Sequence, residues 1–243
     1  MKTFVLSLER TPERYKAFLE SNRFHQAIEL SPAVDGRGLI LEDLQSSGLI
    51  DGYLRFSSGA IGNALSHRKL WEVAVSQNVP VTVCEDDANL HRHFSEVSEK
   101  ILAQLDRNWD MVLWGWNFDS IFLANPYPNL STILMQFNQD EMRANKSIYL
   151  NAPVAPTLLR LCAVFGSVCY SISPKGARKF LDYCFPLRQF TLSVPEINFN
   201  MHVGALDAIM CSFYRQALCF VCFPPLAVTD NDHAISTVQT QAP

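Results

Sequence analysis

Short apolar runs and helical stripes alternate from the first residues onward. Thr3-Phe4-Val5-Leu6-Ser7-Leu8 predicts a buried strand over residues 2 to 8, and Thr11-Pro12 supplies the cap and first position of a helix running through Leu19. Ser57-Ser58-Gly59 opens the clearest helix, where Ile61, Ala64, Leu65, Leu70, Trp71, Ala74 and Val75 recur at helical spacing to about Ser76. After Pro80, Val81-Thr82-Val83-Cys84 reads as a second buried strand. An amphipathic helix from Phe94 to Leu105 and a strand at Met111 to Trp114 follow. Leu161 to Ser173 predicts a strand, a turn at Gly166 and another strand. Ser173-Pro174 then starts a helix with Ala177, Phe180 and Leu181 inward, Val203 to Arg215 a further helix, and Leu218 to Phe223 a last strand. Strands alternating with helices predict an α/β fold with helices covering both faces of a sheet.

One region breaks this rhythm. From about 118 to 160 periodicity fades among Pro126, Pro128, Pro153, Pro156 and many Asn, and about 40 residues without pattern exceed an ordinary loop. The reading is a single domain over residues 1–243 with an irregular, acceptor-side excursion at about 118–160.

The strand ending at Cys84 runs straight into Glu85-Asp86-Asp87. Three carboxylates at one strand end repel each other by about 1 kcal/mol per close pair even in water, so a cation belongs there. Carboxylate oxygens suit Mg²⁺ or Mn²⁺, and such an ion can neutralise a departing diphosphate. The bland alternative is a solvated acidic turn.

Other residues carry open alternatives. Arg10 and Arg14 lie where the first strand turns into its helix, a place to meet phosphate or simply a charged first turn. Asp35, in the turn Ala33 to Gly38, is either a ribose contact or the partner of its own turn backbone. His67, in mid-helix after Ser66, either contacts donor phosphate or packs. No acid adjoins that pair in sequence, and no G-x-S-x-G elbow exists to make it a hydrolase. Trp116, at the end of a strand where α/β proteins place ligand contacts, is a candidate to stack on a sugar ring. Asp207, beside the inward face of a patterned helix, is either a helix-surface acid or one that points into a cleft. His91 and His93 read as surface residues flanking a helix start. His233, in the polar tail, is a candidate third metal ligand.

Composition changes little and excludes some classes. With 48% hydrophobic residues and a net charge of −4, no basic field argues for nucleic acid. Seven cysteines without a CxxC pair, mostly within apolar segments, predict reduced, buried thiols. No apolar run approaches the roughly 20 residues a membrane span needs, and the first strand is too short for a signal-peptide core, so a cytoplasmic location is expected.

Taken in order, these pieces resemble glycosyltransferase family 25, the bacterial lipopolysaccharide and lipooligosaccharide sugar transferases related to collagen galactosyltransferases. The resemblance is carried by Phe4 to Arg14, by Gly59-Ala60-Ile61-Gly62-Asn63-Ala64-Leu65-Ser66-His67, by Glu85-Asp86-Asp87, by Gly166-Ser167-Val168-Cys169-Tyr170-Ser171-Ile172-Ser173, by Leu206-Asp207 and by Ser236-Thr237. The chain departs where Ser7 replaces the family's usual Asn, Ala60 its Glu and Asn63 its Cys.

The resemblance implies a GT-A-like nucleotide-sugar-binding fold with a mixed, mostly parallel central sheet flanked by helices. It implies an inverting, metal-dependent transfer of a hexose, galactose from UDP-galactose first, to a sugar hydroxyl of a glycan or lipid-linked oligosaccharide. It also implies contact with the cytoplasmic membrane face. Asp207 is then assigned as base, Asp87 and His233 as ligands of Mn²⁺ or Mg²⁺, and Ser7, Arg14, Asp35, His67, Glu85, Asp86 and Trp116 as donor contacts. A metal-dependent phosphohydrolase or nucleotidyltransferase would share the acidic cluster, and a non-catalytic carbohydrate-binding protein would share the fold.

Overall fold

The computed structural model describes residues 1–25, 27–105, 108–127 and 130–232. Strands are β1 Lys2–Ser7, β2 Ile28–Pro32, β3 Val81–Glu85, β4 Ala88–Leu90, β5 Met111–Gly115, β6 Phe122–Asn125 and β7 Ile133–Met135, then β8 Thr157–Val164, β9 Cys169–Ile172, β10 Thr191–Val194, β11 Phe199–His202, β12 Cys219–Phe223 and β13 Ala227–Thr229. Helices are α1 Pro12–Ser21, α2 Leu41–Ser46, α3 Ser58–Gln77, α4 Phe94–Gln104, α5 Gln139–Tyr149, α6 Pro174–Cys184 and α7 Leu206–Phe213.

A nine-stranded sheet runs β2-β1-β3-β9-β5-β12-β8-β6-β7. β1 pairs in parallel with β2 and β3, and β5 with β12, while β9 runs antiparallel between β3 and β5. β8, β6 and β7 complete the edge in antiparallel fashion. Thus β1, β2, β3, β5, β6 and β12 all point one way. The expected GT-A-like α/β sheet flanked by helices is what the chain forms.

Strand periodicity decides which side chains go where. In β5, Met111 and Leu113 enter the core beneath α3, α6 and α7, whereas Val112 and Trp114 enter a second core beneath α1 and α4. β3 splits in the same way, with Val81 and Val83 on one face and Cys84 on the other. Fully burying each such apolar side chain contributes about 1.5–3 kcal/mol before entropy is counted. Polar atoms between the sheet strands are satisfied locally: Ser171 Oγ lies 2.7 Å from Thr82 Oγ1 and accepts from Trp114 Nε1 at 2.8 Å. All seven cysteines are buried and none forms a disulfide.

Caps fall where the chain chemistry put them. Ser57 Oγ accepts from the Ala60 N–H, Ser173 Oγ from the Gly176 N–H, and Asn78 closes α3 at φ 52°. Other boundaries differ. Val203 does not begin a helix, because β11 pairs with β10 in an antiparallel hairpin up to His202 and α7 starts only at Leu206. The 118–160 region has its own structure: β6, β7, α5 and the start of β8. His91 is fully buried, not a surface residue, with Nε2 2.9 Å from the Ala152 carbonyl and Nδ1 accepting the His93 N–H.

Candidate active site

Parallel strands open their carboxyl ends onto a cleft of about 740 Å³, lined among others by Ser7, Arg14, Glu85, Asp86, Asp87, Asn117, Lys146, Gly166, Ser167, Asp207, Asp230 and Asp232. The register of β1 with β3 sets Leu6 beside Glu85, so Ser7 reaches the acidic run one step further on. Ser7 Oγ donates to Asp86 Oδ2 at 2.7 Å. From α1, Arg14 Nε donates to Asp86 Oδ1 at 2.8 Å while its Nη2 bonds the same oxygen. Asp86 is thereby committed to holding β1 and α1 against the strand end.

Asp87 differs. Its Oδ1 is buried without a hydrogen-bond partner among the described residues, and Arg14 Nη2 stands 4.0 Å from Oδ2. Burial, together with the nearby charges of Glu85 and Asp86 and despite Arg14, pushes its carboxyl up to about 7. Asp87 lines the cleft, Thr229 bonds its carboxylate, and its Oδ1 is left without a partner; a hard-oxygen group of this kind fits a divalent ion that keeps waters and substrate phosphates as its remaining ligands. Among the described residues no three His, Cys, Asp or Glu side chains are grouped so that they could hold a metal ion together, so Asp87 would have to bind it with ligands from the substrate and water. His233 lies outside the described residues.

Glu85 is fixed from two sides. Ser167 Oγ donates to Oε1 at 2.6 Å, and His67 Nε2 lies 3.5 Å from the same oxygen. Burial raises its carboxyl, but hydrogen bonding and charge from His67, with Ser167 and Arg14, outweigh that, so the net direction is down. His67 itself is completely buried behind Glu85.

The long helix places these groups through its motif. Gly62 lets the 33–38 turn pack closely, since a Cβ there would stand 2.5 Å from the Val34 carbonyl oxygen. Ser66 pins the same turn, donating to the Gly62 carbonyl at 2.7 Å and accepting from the Val34 N–H at 2.8 Å. His67, one residue on, faces the sheet. Ser66 and His67 therefore serve different neighbours.

Asp207 stands in the first turn of α7. Its Oδ1 accepts from the Ala208 N–H at 2.8 Å and its Oδ2 from the Gly166 N–H at 3.0 Å. Gly166 can present that N–H because it sits at φ +88°, with its Cα against Asn117, where a Cβ would come within 2.5 Å of the Asn117 side chain. Burial raises the Asp207 carboxyl above its ordinary value despite the two backbone N–H groups, and Glu85 adds to the rise. Each oxygen retains a lone pair able to take a proton. The turn Gly166-Ser167 thus bonds Asp207 with one residue and Glu85 with the next.

Asp35 lies at the rim, next to Gly36. Arg37 bonds its carboxylate through side chain and backbone, and Arg10 Nε stands 3.1 Å away. The Arg37 hydrogen bonds hold it down to about 2. Trp116 does not line the cleft. It is fully buried among Phe118, Phe122 and Phe137 with centroids 4.8–5.6 Å away, so the expected sugar-stacking position is a core position. β5 ends one residue earlier, at Gly115, and Trp116 still points into the core while Asn117 reaches the cleft.

Several lining groups were not singled out from sequence as site residues. Ser167 and Gly166 stand in the turn before a strand motif, and their nearness to Asp207 is a long-range fact. Lys146 on α5 bonds Asp230 Oδ2 at 2.5 Å, and Arg143 bonds the Asp230 and Asn231 carbonyls, so the excursion grips the segment that follows β13.

The family described as glycosyltransferase family 25 (LPS biosynthesis protein) matches residues 1–196. A glycosyltransferase 25 family member of Aedes aegypti is 33% identical over 124 residues, covering 46% of this chain and 20% of its own length. A Rattus norvegicus protein named probable inactive glycosyltransferase 25 family member 3 is 27% identical over 260 residues, covering 100% of this chain and 41% of its own. The chain thus spans less than half the length of these relatives. Among solved structures, the one titled crystal structure of A197 from STIV aligns over 100% of both chains at 11% identity with a TM-score of 0.40, too distant to carry an argument.

Proposed function

The chain belongs to glycosyltransferase family 25, and from that premise we propose that it is an inverting hexosyltransferase that takes a UDP-sugar, UDP-galactose first, and glycosylates a hydroxyl of a lipopolysaccharide, lipooligosaccharide or other glycan acceptor. The observation that supports this reading is the opposition in one cleft of Asp87, with its unsatisfied oxygen, and Asp207, anchored by backbone N–H groups.

In this reading Asp87 would hold Mn²⁺ or Mg²⁺, and the ion would supply charge neutralisation for the departing diphosphate. Arg14 adds positive charge beside it. Asp207 accepts the proton of the acceptor hydroxyl as that oxygen attacks the anomeric carbon. The new C–O bond forms opposite the bond that breaks, and UDP leaves with that bond's electron pair, so configuration inverts. A carboxyl raised toward the working pH is a better match for this proton transfer than a fully solvated one. No described helix is long and apolar enough to cross a membrane.

A second reading, a carbohydrate-binding protein without catalysis, is favoured by the word inactive in the name of the rat relative. One experiment separates the two: UDP release measured with a panel of UDP-hexoses, Mn²⁺ and a glycan acceptor array. Acceptor-dependent release that disappears in Asp207→Asn supports transfer. Tight UDP-sugar binding with no release under any pairing supports the second reading, and release without an acceptor points to a hydrolase.

A further inference from the structure

His67 is a fully enclosed titratable group that the transfer mechanism leaves without a task. Its ring is fully buried, as are Tyr170 and Trp71 behind it. Trp71 Nε1 bonds Tyr170 Oη at 2.8 Å, and His67 Nδ1 lies 2.7 Å from the same oxygen. Indole N–H is a donor only, so the phenol oxygen accepts there, and its single hydrogen goes to His67 Nδ1. The ring proton is thereby placed on Nε2, the nitrogen that faces Glu85 Oε1 at 3.5 Å.

Burying a four-member polar string costs desolvation that a purely apolar core would not incur, and simple packing would be better served by leucine or phenylalanine. What the string achieves is directional. Ser167 donates to Oε1 of Glu85, His67 Nε2, which is buried with no other partner among the described residues, stands 3.5 Å from that same oxygen, and Oε2 takes no hydrogen bond from the described residues. The side chain is 28% exposed, and Glu85 lines the cleft. One oxygen is tethered to the protein, and the other is left unbonded on a side chain that lines the cleft.

We propose that His67 is a positioning residue, its tautomer set by Tyr170 and Trp71, which holds Glu85 so that Oε2 accepts a hydrogen bond from a hydroxyl of the donor's hexose and so discriminates among hexose epimers. The inference rests on the reading of the cleft as a UDP-sugar site. A carboxylate held in one orientation rewards a hydroxyl in one configuration, and an epimer that points its hydroxyl elsewhere leaves the oxygen unpaired.

The test compares wild type with Glu85→Gln, His67→Phe, His67→Gln and Ser167→Ala in Mn²⁺. Calorimetry reads UDP affinity, and UDP release reads kcat/KM for UDP-hexose epimers. Affinity for UDP, which has no hexose, should stay within about twofold in all variants, while kcat/KM for the preferred donor falls about 10- to 100-fold in Glu85→Gln and His67→Phe. Preference among epimers should narrow in both. His67→Gln, whose amide N–H can reach Glu85 from the place of Nε2, should recover much of the loss. If His67→Phe does not fold, Ser167→Ala, which removes the other Oε1 donor, should still narrow the preference. Unchanged epimer preference in Glu85→Gln overturns the proposal, as does a loss of UDP affinity that parallels the loss of transfer. A wild type that binds UDP but no hexose-bearing form better than its variants also overturns it. Failure of the donor reading itself looks different: wild type then ignores UDP and every UDP-sugar.

Discussion

At the scale of single residues, the acidic strand end separates into three carboxylates with three duties. Asp86 is spent on Ser7 and Arg14, Glu85 on Ser167 and His67, and Asp87 keeps an oxygen for a ligand. The pH dependence follows from Asp87. Its carboxyl is raised from an ordinary value near 3.8 to about 7, so in the metal-free protein the native state holds a proton there that the unfolded chain releases. Native stability from this group is therefore fully present below about pH 4 and is lost as pH rises through about 7. Mn²⁺ needs the charged form, so the rise in Tm caused by Mn²⁺ with UDP should grow from pH 5.5 to 8 and vanish in Asp87→Ala. A Tm shift that is flat across that range counts against Asp87 as the ligand. For Asp207→Asn, transfer should fall at least about 100-fold with UDP affinity retained, the signature of a lost base. Single-turnover assays beside calorimetry check it.

What was legible at this scale was chemistry and not commitment. The run Glu85-Asp86-Asp87 announced a charged site from its composition alone, because three like charges need an explanation wherever they fold. Which carboxylate stays free was invisible, since that depends on Ser7, Arg14 and Ser167 arriving from other elements. Trp116 shows the opposite failure: an aromatic at a strand end has the right place in chain order, yet its neighbours Phe118, Phe122 and Phe137 close over it.

At the scale of elements, two turns do the positioning, and each depends on a glycine. Gly62 admits the 33–38 turn against α3, and Gly166 lets the β8–β9 turn offer its N–H to Asp207. Gly166→Ala would place a side chain at φ +88° and within 2.5 Å of Asn117. The expected cost is about 1–3 kcal/mol in stability, with a kcat loss larger than that of Ser66→Ala. Chemical denaturation and steady-state kinetics on both variants provide the comparison, and equal kcat for Gly166→Ala and wild type would contradict the positioning role. Ser66→Ala, deep in α3, should cost about 1–2 kcal/mol by orphaning the Val34 N–H. The helix and its caps could be read from spacing and Ser57, whereas the β10–β11 hairpin could not. Its strands are four residues each, too short for the apolar–polar alternation of Phe199-Asn200-Met201-His202 to stand out against the helix that follows.

At the scale of the whole molecule, the sheet has one end on the cleft and one end packed for stability. Asp110, at the start of β5 and away from the cleft, is fully buried and accepts from Lys179 Nζ at 2.6 Å and the Leu218 N–H at 2.7 Å. Asp110→Ala should destabilise the fold by about 1–3 kcal/mol, chiefly by leaving the Leu218 N–H unpaired since Lys179 is itself partly exposed, while nucleotide affinity measured below the transition stays the same. An equal loss of affinity would mean the two ends are coupled. The alternation of strand and helix signals was enough to anticipate a layered α/β sheet. The order of its strands was not, because β9 enters between β3 and β5 from far along the chain.

β13 lies across the end of β5 so closely that a Cβ on Gly115 would stand 2.2 Å from the Ala227 carbonyl oxygen, and α5 grips the residues just beyond it. Protein engineering inherits a rule from that wedge. Shortening the chain to before Ala227 would unroof the sheet beside the cleft, so expression variants should keep the whole chain and carry any affinity handle beyond Pro243.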